Sequence, residues 1–321
     1  MVAFVVTALA TRALLGWLRR RAILDHPNER SSHTVPTPRG GGLAVIGTVL
    51  VLWVAWSIVH GAAPAVWWSV AIAALLAGFS WLDDIRGLPV AMRLAAHFAA
   101  ALAGIAALPP DSLVVQGWLP FWADRLVAVL AWVWFINLFN FMDGIDGIAG
   151  TETASIGLGL FILAVSIGAI PGPLPVILAG AALGFLLWNW HPARIFLGDV
   201  GSVPLGYLLG GLLLGLAARG QWAAALILPA YYLADATITL VRRIAAREKV
   251  WQAHKRHFYQ TALRGGASHA TVVGWIAGAN LLLIVLALVS VREPGFAVLM
   301  AALVVTALLA QLARMGRTNF R

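Results

Sequence analysis

Residues 136–152, INLFNFMDGIDGIAGTE, decide how the rest of the chain is read. An apolar run from Leu126 to Ile136 leads directly into this stretch, and a second begins at Ala154. Between them stand Asn137, Asn140, Asp143, Asp146 and Glu152, interleaved with Gly144, Gly147 and Gly150. Acids at the end of a membrane helix are costly to desolvate and mark a functional site by default. Steps of three residues keep Asn137, Asn140 and Asp143 on neighbouring parts of one helical face. The glycines let backbone approach a ligand closely. Capping one helix needs one such polar residue, not four. The stretch therefore reads as a polar pocket at a membrane surface, with a helix-capping loop as the plainer alternative.

Working outward, 61% of the residues are hydrophobic, 11% are charged, and the mean hydropathy is +0.88. Soluble domains are nearer a quarter charged, so the chain is an integral membrane protein. Its apolar runs of about 16 to 20 residues point to helices, since a barrel alternates in segments of about ten. The absence of cysteine excludes disulfides, thiolate metal sites and cysteine nucleophiles. A net charge of +9 raises nucleic acid as a partner, but in a membrane protein the distribution of charge matters more than its sum.

The periodicity predicts an all-α, polytopic membrane bundle of about eleven spans: Val2–Leu18, Gly41–Val59, Val66–Leu82, Leu94–Leu108, Phe121–Leu138, Thr153–Ala169, Leu174–Trp190, Val203–Ala218, Trp222–Val241, Thr271–Val291 and Gly295–Ala313. The first, followed by Arg19, Arg20 and Arg21, reads as an uncleaved anchor. The connections after odd-numbered spans carry 18 of the 22 lysines and arginines, and those after even-numbered spans carry three, Arg125, Arg219 and Arg292. Positive residues collect on the cytoplasmic side, so the N-terminus is expected outside and the C-terminus in the cytoplasm. Topology explains the basic excess, and nucleic acid is not needed as a partner. Trp67, Trp68, Trp118, Trp122 and Trp222 fit an outer aromatic belt.

Most of the unusual polar clusters fall on the same, basic side. Residues 25–42, DHPNERSSHTVPTPRGGG, hold too much proline and glycine for a helix and present His33 and Arg39 to an anionic ligand or to solvent. Asp83 and Asp84 end the third span, and adjacent carboxylates repel unless a cation lies between them. Acids at a helix C-terminus also oppose its macrodipole. Metal binding and proton transfer are the candidate functions, against a solvated helix end near Arg86. In residues 189–202, NWHPARIFLGDVGS, Asp199 lies between Gly198 and Gly201. A carboxylate and backbone N–H groups in one tight turn suit a cation plus phosphate oxygens. Residues 242–264 hold His254, Lys255, Arg256 and His257. These are expected to bind phosphate, since magnesium prefers oxygen ligands and a zinc site here lacks a matching partner set. Asp235 is expected to orient that loop, while His97 and the Asp124–Arg125 pair read as structural.

Four pieces, PTPRGGG (36–42), WLDDIRGL (81–88), NLFNFMDGIDG (137–147) and IFLGDVGS (195–202), together resemble the polyprenyl-phosphate N-acetylhexosamine-1-phosphate transferases. They occur in the family's order and span most of the chain. EKVWQAHKRHFYQ (248–260) is similar to the O-antigen-initiating branch and departs from the triple-histidine run of the peptidoglycan enzyme. The resemblance implies one integral-membrane transferase domain over residues 1–321, with active-site loops at 19–40, 83–93, 137–152, 189–202 and 242–270. It also implies a bacterial inner-membrane location with the site on the cytoplasmic face. In the implied reaction, undecaprenyl phosphate attacks the β-phosphorus of a UDP-N-acetylhexosamine, and UMP leaves. Magnesium, with manganese as a substitute, is the implied cofactor, held by Asp199 and Asn140. Asp83, Asp84 and Asp199 are the implied catalytic residues. Asn137, Asp143, Asp146, His254, Arg256, His257 and His33 are the implied substrate contacts. The lipid bilayer and the two substrates are the expected partners, and a homodimer is an allowed assembly. The competing function, a transporter of an anionic metabolite, calls for polar groups near the bilayer midplane and for internal repeats. Neither is evident.

The charge bias makes a direct prediction. A reporter fused to the C-terminus should be active when it requires the cytoplasm and silent when it requires the periplasm. The opposite pattern overturns the topology.

Overall fold

The structure, a computed structural model, describes residues 1–27, 35–106, 108, 111–168, 172–252 and 254–317. Thirteen helices occur among them: α1 (Val2–Arg20), α2 (Gly42–His60), α3 (Pro64–Arg86), α4 (Val90–Ile105), α5 (Phe121–Phe141), α6 (Ile148–Ile167), α7 (Leu174–Asn189), α8 (Asp199–Ala217), α9 (Trp222–Ile227), α10 (Ala230–Ala245), α11 (Phe258–Arg264), α12 (His269–Val289) and α13 (Pro294–Met315). Two-residue strands, β1 (Leu24–Asp25) and β2 (Thr37–Pro38), pair antiparallel.

Every expected span is helical over most of its length, though not every one forms a single long helix. Eight helices are long and apolar enough to cross a membrane, while α4 and α7 are apolar but shorter. The expected ninth span, Trp222–Val241, is broken into α9 and α10 at Pro229. Proline cannot donate to the preceding turn and its ring clashes there. The expected eighth span began at Val203, yet α8 starts at Asp199. Its first N–H groups are capped by a carboxylate from α3, a partner that local sequence does not reveal.

The bundle is built around α8, most of which is buried. It packs on α2, α3 and α5, while α6 packs on α7, α7 on α1, and α12 on α13. Small residues make these approaches close. Side chains at Gly206, Gly210 and Gly211 would run into Ile136, Phe139, Phe135 and Trp132 of α5. Trp132 stacks on Tyr207 at 4.9 Å and donates its indole N–H to the Tyr207 carbonyl at 2.9 Å. Without a hydrophobic driving force between helices in lipid, such close backbone packing holds a membrane bundle together. Asp124, expected to be structural, accepts from the Val114 and Val115 amides and ties down the loop before α5.

At the other end of α8, a Cβ on Gly42 would overlap the Gly201 backbone. Gly42→Ala should therefore force α2 and α8 apart and cost about 1–3 kcal/mol. A detergent thermal-unfolding curve should shift down for this variant and stay in place for Gly47→Ala, whose Cβ would meet open space.

Candidate active site

The last turn of α3, the start of α8 and the segment before α2 meet at one point. The Asp84 side chain is buried, and its carboxylate accepts from the N–H groups of Asp199 (3.1 Å) and Val200 (2.9 Å). It lies at the C-terminus of its own helix but at the N-terminus of α8. The dipole it opposes in α3 is offset by the one it complements in α8. Gly198, at φ 77°, makes the close approach possible, since a Cβ there would meet the Asp84 carboxylate. Arg39 completes the junction. Its Nη2 lies 2.7 Å from Asp84 Oδ1 and 2.8 Å from Asp199 Oδ1. The backbone holds it there: Phe196 donates to the Pro38 carbonyl at 2.8 Å, and Gly41 donates to the Phe196 carbonyl at 2.8 Å. Burial opposes the Arg39 charge, but Asp199 and Asp84 raise its pKa further.

Asp83 does two things. Its Oδ1 accepts from the Leu88 amide at 2.6 Å, which closes the chain after α3. Its Oδ2 faces Arg93 Nε at 3.5 Å, and that nitrogen is buried without a hydrogen-bond partner. Arg93 Nη1 stands 3.9 Å from Asp199 Oδ2. The Asp83 and Asp199 carboxylates are close enough to interact with each other. Each keeps one oxygen that accepts no N–H bond among the described residues, and both share a cavity rim with Arg39 and Arg93.

Asn140 lies in the last turn of α5, and its amide nitrogen donates to Asp199 Oδ1 (3.1 Å) and Ser202 Oγ (2.9 Å). It stands beside Asp199 as expected, but as a donor that fixes the acid. Asn137 Oδ1 accepts from His97 Nδ1 at 3.2 Å. His97, read as structural, also lines the cavity. Arg93 and His97, four residues apart on α4, were the missed pair. Their spacing, which places both on one face of a helix, was the available signal.

The cavity measures about 660 Å³. Its polar rim includes Arg39, Asp83, Arg93, Asn140, Asp199 and His254, with His257 close by, and Leu94, Leu130, Val133 and Trp134 supply apolar wall. The loop after α10 roofs it with Val250, Trp251 and Gln252. Buried Arg243 shapes that roof, donating to the carbonyls of Lys249 (2.8 Å), Val250 (3.1 Å) and Gln252 (3.1 Å), and to Glu248. Asp235, as expected, orients the loop: it lies 3.1 Å from His257 Nδ1 and accepts from the Phe258 amide at 3.1 Å.

Other expected members fall elsewhere. Arg256 is exposed, pairs with Glu248 and does not line the cavity. His254 lines it, but burial, reinforced by His257 and Arg243, lowers its pKa to about 4. At neutral pH it offers a neutral ring, not the positive charge expected of a cationic cluster. Asp143 does not line the cavity; it sits in the α5–α6 loop, where burial and then the Asp199 charge push it up to about 7. Asp146 belongs to a separate group with His191 and His269; despite burial, hydrogen bonds from these rings hold its pKa low. Glu152 is buried in α6 against Asn280, at 2.7 Å. His33 lies outside the described residues.

Residues 41–217 match Glycosyl transferase family 4. A decaprenyl-phosphate N-acetylglucosaminephosphotransferase of Mycolicibacterium smegmatis is 30% identical, over 85% of this chain and 76% of its own length. A probable undecaprenyl-phosphate N-acetylglucosaminyl 1-phosphate transferase of Bacillus subtilis is 30% identical, over 84% and 78%. A phospho-N-acetylmuramoyl-pentapeptide-transferase of Thermosynechococcus vestitus is 29% identical, over 74% and 68%. Fold and site define a polytopic membrane transferase with its acids and arginines gathered at one end of the bundle. The chain belongs to glycosyl transferase family 4, among the polyprenyl-phosphate N-acetylhexosamine-1-phosphate transferases, and is a phosphoglycosyl transferase.

Arg243→Ala removes the clamp on the roof. Charged hydrogen bonds contribute about 1.5–3 kcal/mol each, so kcat/KM should fall about ten- to a hundredfold. Limited proteolysis at Lys249 and Lys255 should accelerate in the same variant, and unchanged cleavage would show that the loop holds itself.

Proposed function

We propose that this enzyme transfers an N-acetylhexosamine-1-phosphate from a UDP-sugar to undecaprenyl phosphate at the cytoplasmic membrane face, releasing UMP. The reading extends to the start of O-antigen or related surface-polysaccharide synthesis, on the likeness of residues 248–260 to the O-antigen-initiating branch. The observation that carries it is the cavity: acids and arginines at its rim, apolar helix faces on its wall. A phosphate group fits the rim and a prenyl tail fits the wall.

The donor set fits a magnesium ion. Among the described residues at the rim, Asp83 Oδ2 and Asp199 Oδ2 accept no N–H bond, and hard cations take oxygen ligands. These two would hold the ion, with Asn140 keeping Asp199 in place. Bound there, magnesium supplies charge neutralisation for a diphosphate. The chain's own residues do the rest. Arg93, with a buried N–H left unmatched, is placed to bind a phosphate oxygen. Arg39 and Asp84 fix the backbone from which Asp199 projects. Asp83, at the rim, would orient the lipid phosphate beside the ion. His254 and His257 approach from the roof as neutral or hydrogen-bonded donors to the sugar nucleotide. Phosphoryl transfer depends mainly on such positioning and charge neutralisation.

Asp199→Asn keeps the shape and removes the charge that faces the ion. UMP release should fall on the order of a thousandfold, while the protein stays monodisperse in detergent. Near wild-type turnover in magnesium would move the metal site away from Asp199. A panel of UDP-N-acetyl sugars in the same assay identifies the donor, and no UMP with any lipid phosphate would overturn the reaction.

A further inference from the structure

Glu152 lies inside the bundle, away from the cavity lining. It stands in the second turn of the membrane-crossing helix α6 and is 0% exposed. It faces Asn280, 1% exposed, in the middle of α12. The Asn280 amide nitrogen donates to Glu152 Oε2 at 2.7 Å. The other two oxygens of the pair, Glu152 Oε1 and Asn280 Oδ1, are buried and have no hydrogen-bond partner among the described residues.

A carboxylate here would be without a counter-charge. Among the described residues, no lysine, arginine or histidine acts on Glu152. α6 packs on α7, α8 and α12. α7 has no ionisable side chain, α8 offers Asp199 and Tyr207, and α12 offers only His269 at its start, which faces Asp146. The titratable side chains that act on Glu152 from α10 are Tyr231 and Tyr232, both buried. A phenol brings no positive charge. The Tyr231 hydroxyl already donates to Asp235 at 3.2 Å, and that of Tyr232 has no partner among the described residues.

An unpaired anion in a membrane interior is strongly disfavoured. One proton resolves both features of the pair. On Oε1 it removes the charge, and it supplies the donor that Asn280 Oδ1 lacks. Carboxyl and amide then share two hydrogen bonds, N–H to Oε2 and O–H to Oδ1. A polar pair of this kind holds membrane helices together, since lipid offers neither group a partner. Its place in the chain matters as well. α6 begins at Ile148, directly after the loop that carries Asp143 and Asp146. A clasp in the second turn of α6 fixes the point from which that loop projects.

We propose that Glu152 is a neutral carboxylic acid clasped to Asn280, and that this positioning pair holds the start of α6, with the loop before it, against α12. Its effect on turnover rests on the transferase reading above, whereas the neutral acid does not.

The test compares full-length wild type in detergent with Glu152→Gln, Glu152→Ala and Asn280→Ala, each taken from the monodisperse fraction. The infrared difference between wild type and Glu152→Gln should show the carbonyl stretch of one protonated carboxyl, shifted on exchange into heavy water. A carboxylate band in its place overturns the neutral acid. Glu152→Gln keeps the shape and a hydrogen-bond donor, so its thermal unfolding and its kcat/KM for UMP release should stay near wild type. Glu152→Ala and Asn280→Ala should unfold earlier and lose on the order of tenfold in kcat/KM, measured well below their unfolding temperatures. Alanine variants as active as wild type, or a Glu152→Gln protein as impaired as Glu152→Ala, overturn the positioning role. The infrared and unfolding measurements need no substrate, so their failure is separable from a failure of the transferase reading.

Discussion

Everything at this site depends on the Asp84 carboxylate. It joins the C-terminus of α3 to the N-terminus of α8 and grips Arg39 from a third segment. Three chain regions more than a hundred residues apart at their extremes are held by one side chain. Such an arrangement is costly to break. Removing one partner of a buried ion pair typically costs about 3–5 kcal/mol, because the other charge is left unmatched. The pair of aspartates therefore divides its work: Asp84 faces inward and builds the junction, while Asp83 keeps one oxygen toward the cavity.

That division gives the membrane setting a chemical logic. Helix ends leave N–H and C=O groups without partners, and lipid offers none. Here one helix end supplies the anion that the next one needs. The acids and arginines counterbalance each other closely enough to be desolvated, yet Asp83 Oδ2 and Asp199 Oδ2 meet Arg93 only at 3.5 and 3.9 Å, and Arg93 Nε makes no hydrogen bond among the described residues. Unsatisfied groups of opposite sign at one rim are what a metal and a phosphate would complete. The apolar wall beside them belongs to the apolar helices α4 and α5, and in the proposed reaction it would receive the prenyl tail while the sugar nucleotide enters beside the roof.

The roof follows a different rule. It has little secondary structure, and Arg243 and Asp235 hold it by reaching back from α10 to its backbone and to His257. Its histidines read in sequence as a cationic cluster. Burial and neighbouring positive charge make His254 neutral, and Arg256 turns away to Glu248. A run of basic residues states what charge is available, but the field at each position decides which residues carry it.

Local composition and spacing were enough for the membrane class, the helical segments and the gathering of polar motifs on one face, because hydropathy and charge bias act over neighbouring residues. Asp83, Asn140 and Asp199 were legible because acids and amides at the ends of apolar runs are too costly to desolvate there without a use. The tertiary structure alone decided that Asp84 caps a distant helix, that Arg93 and His97 enter the site, and that Asp146 leaves it for His191 and His269. Those assignments rest on contacts across the bundle, such as the 116 residues between Asp84 and Val200 and the 123 between Asp146 and His269. A local pattern cannot encode which carboxylate oxygen will face which distant N–H, since that is fixed only when helices pack and every buried polar group must find its partner.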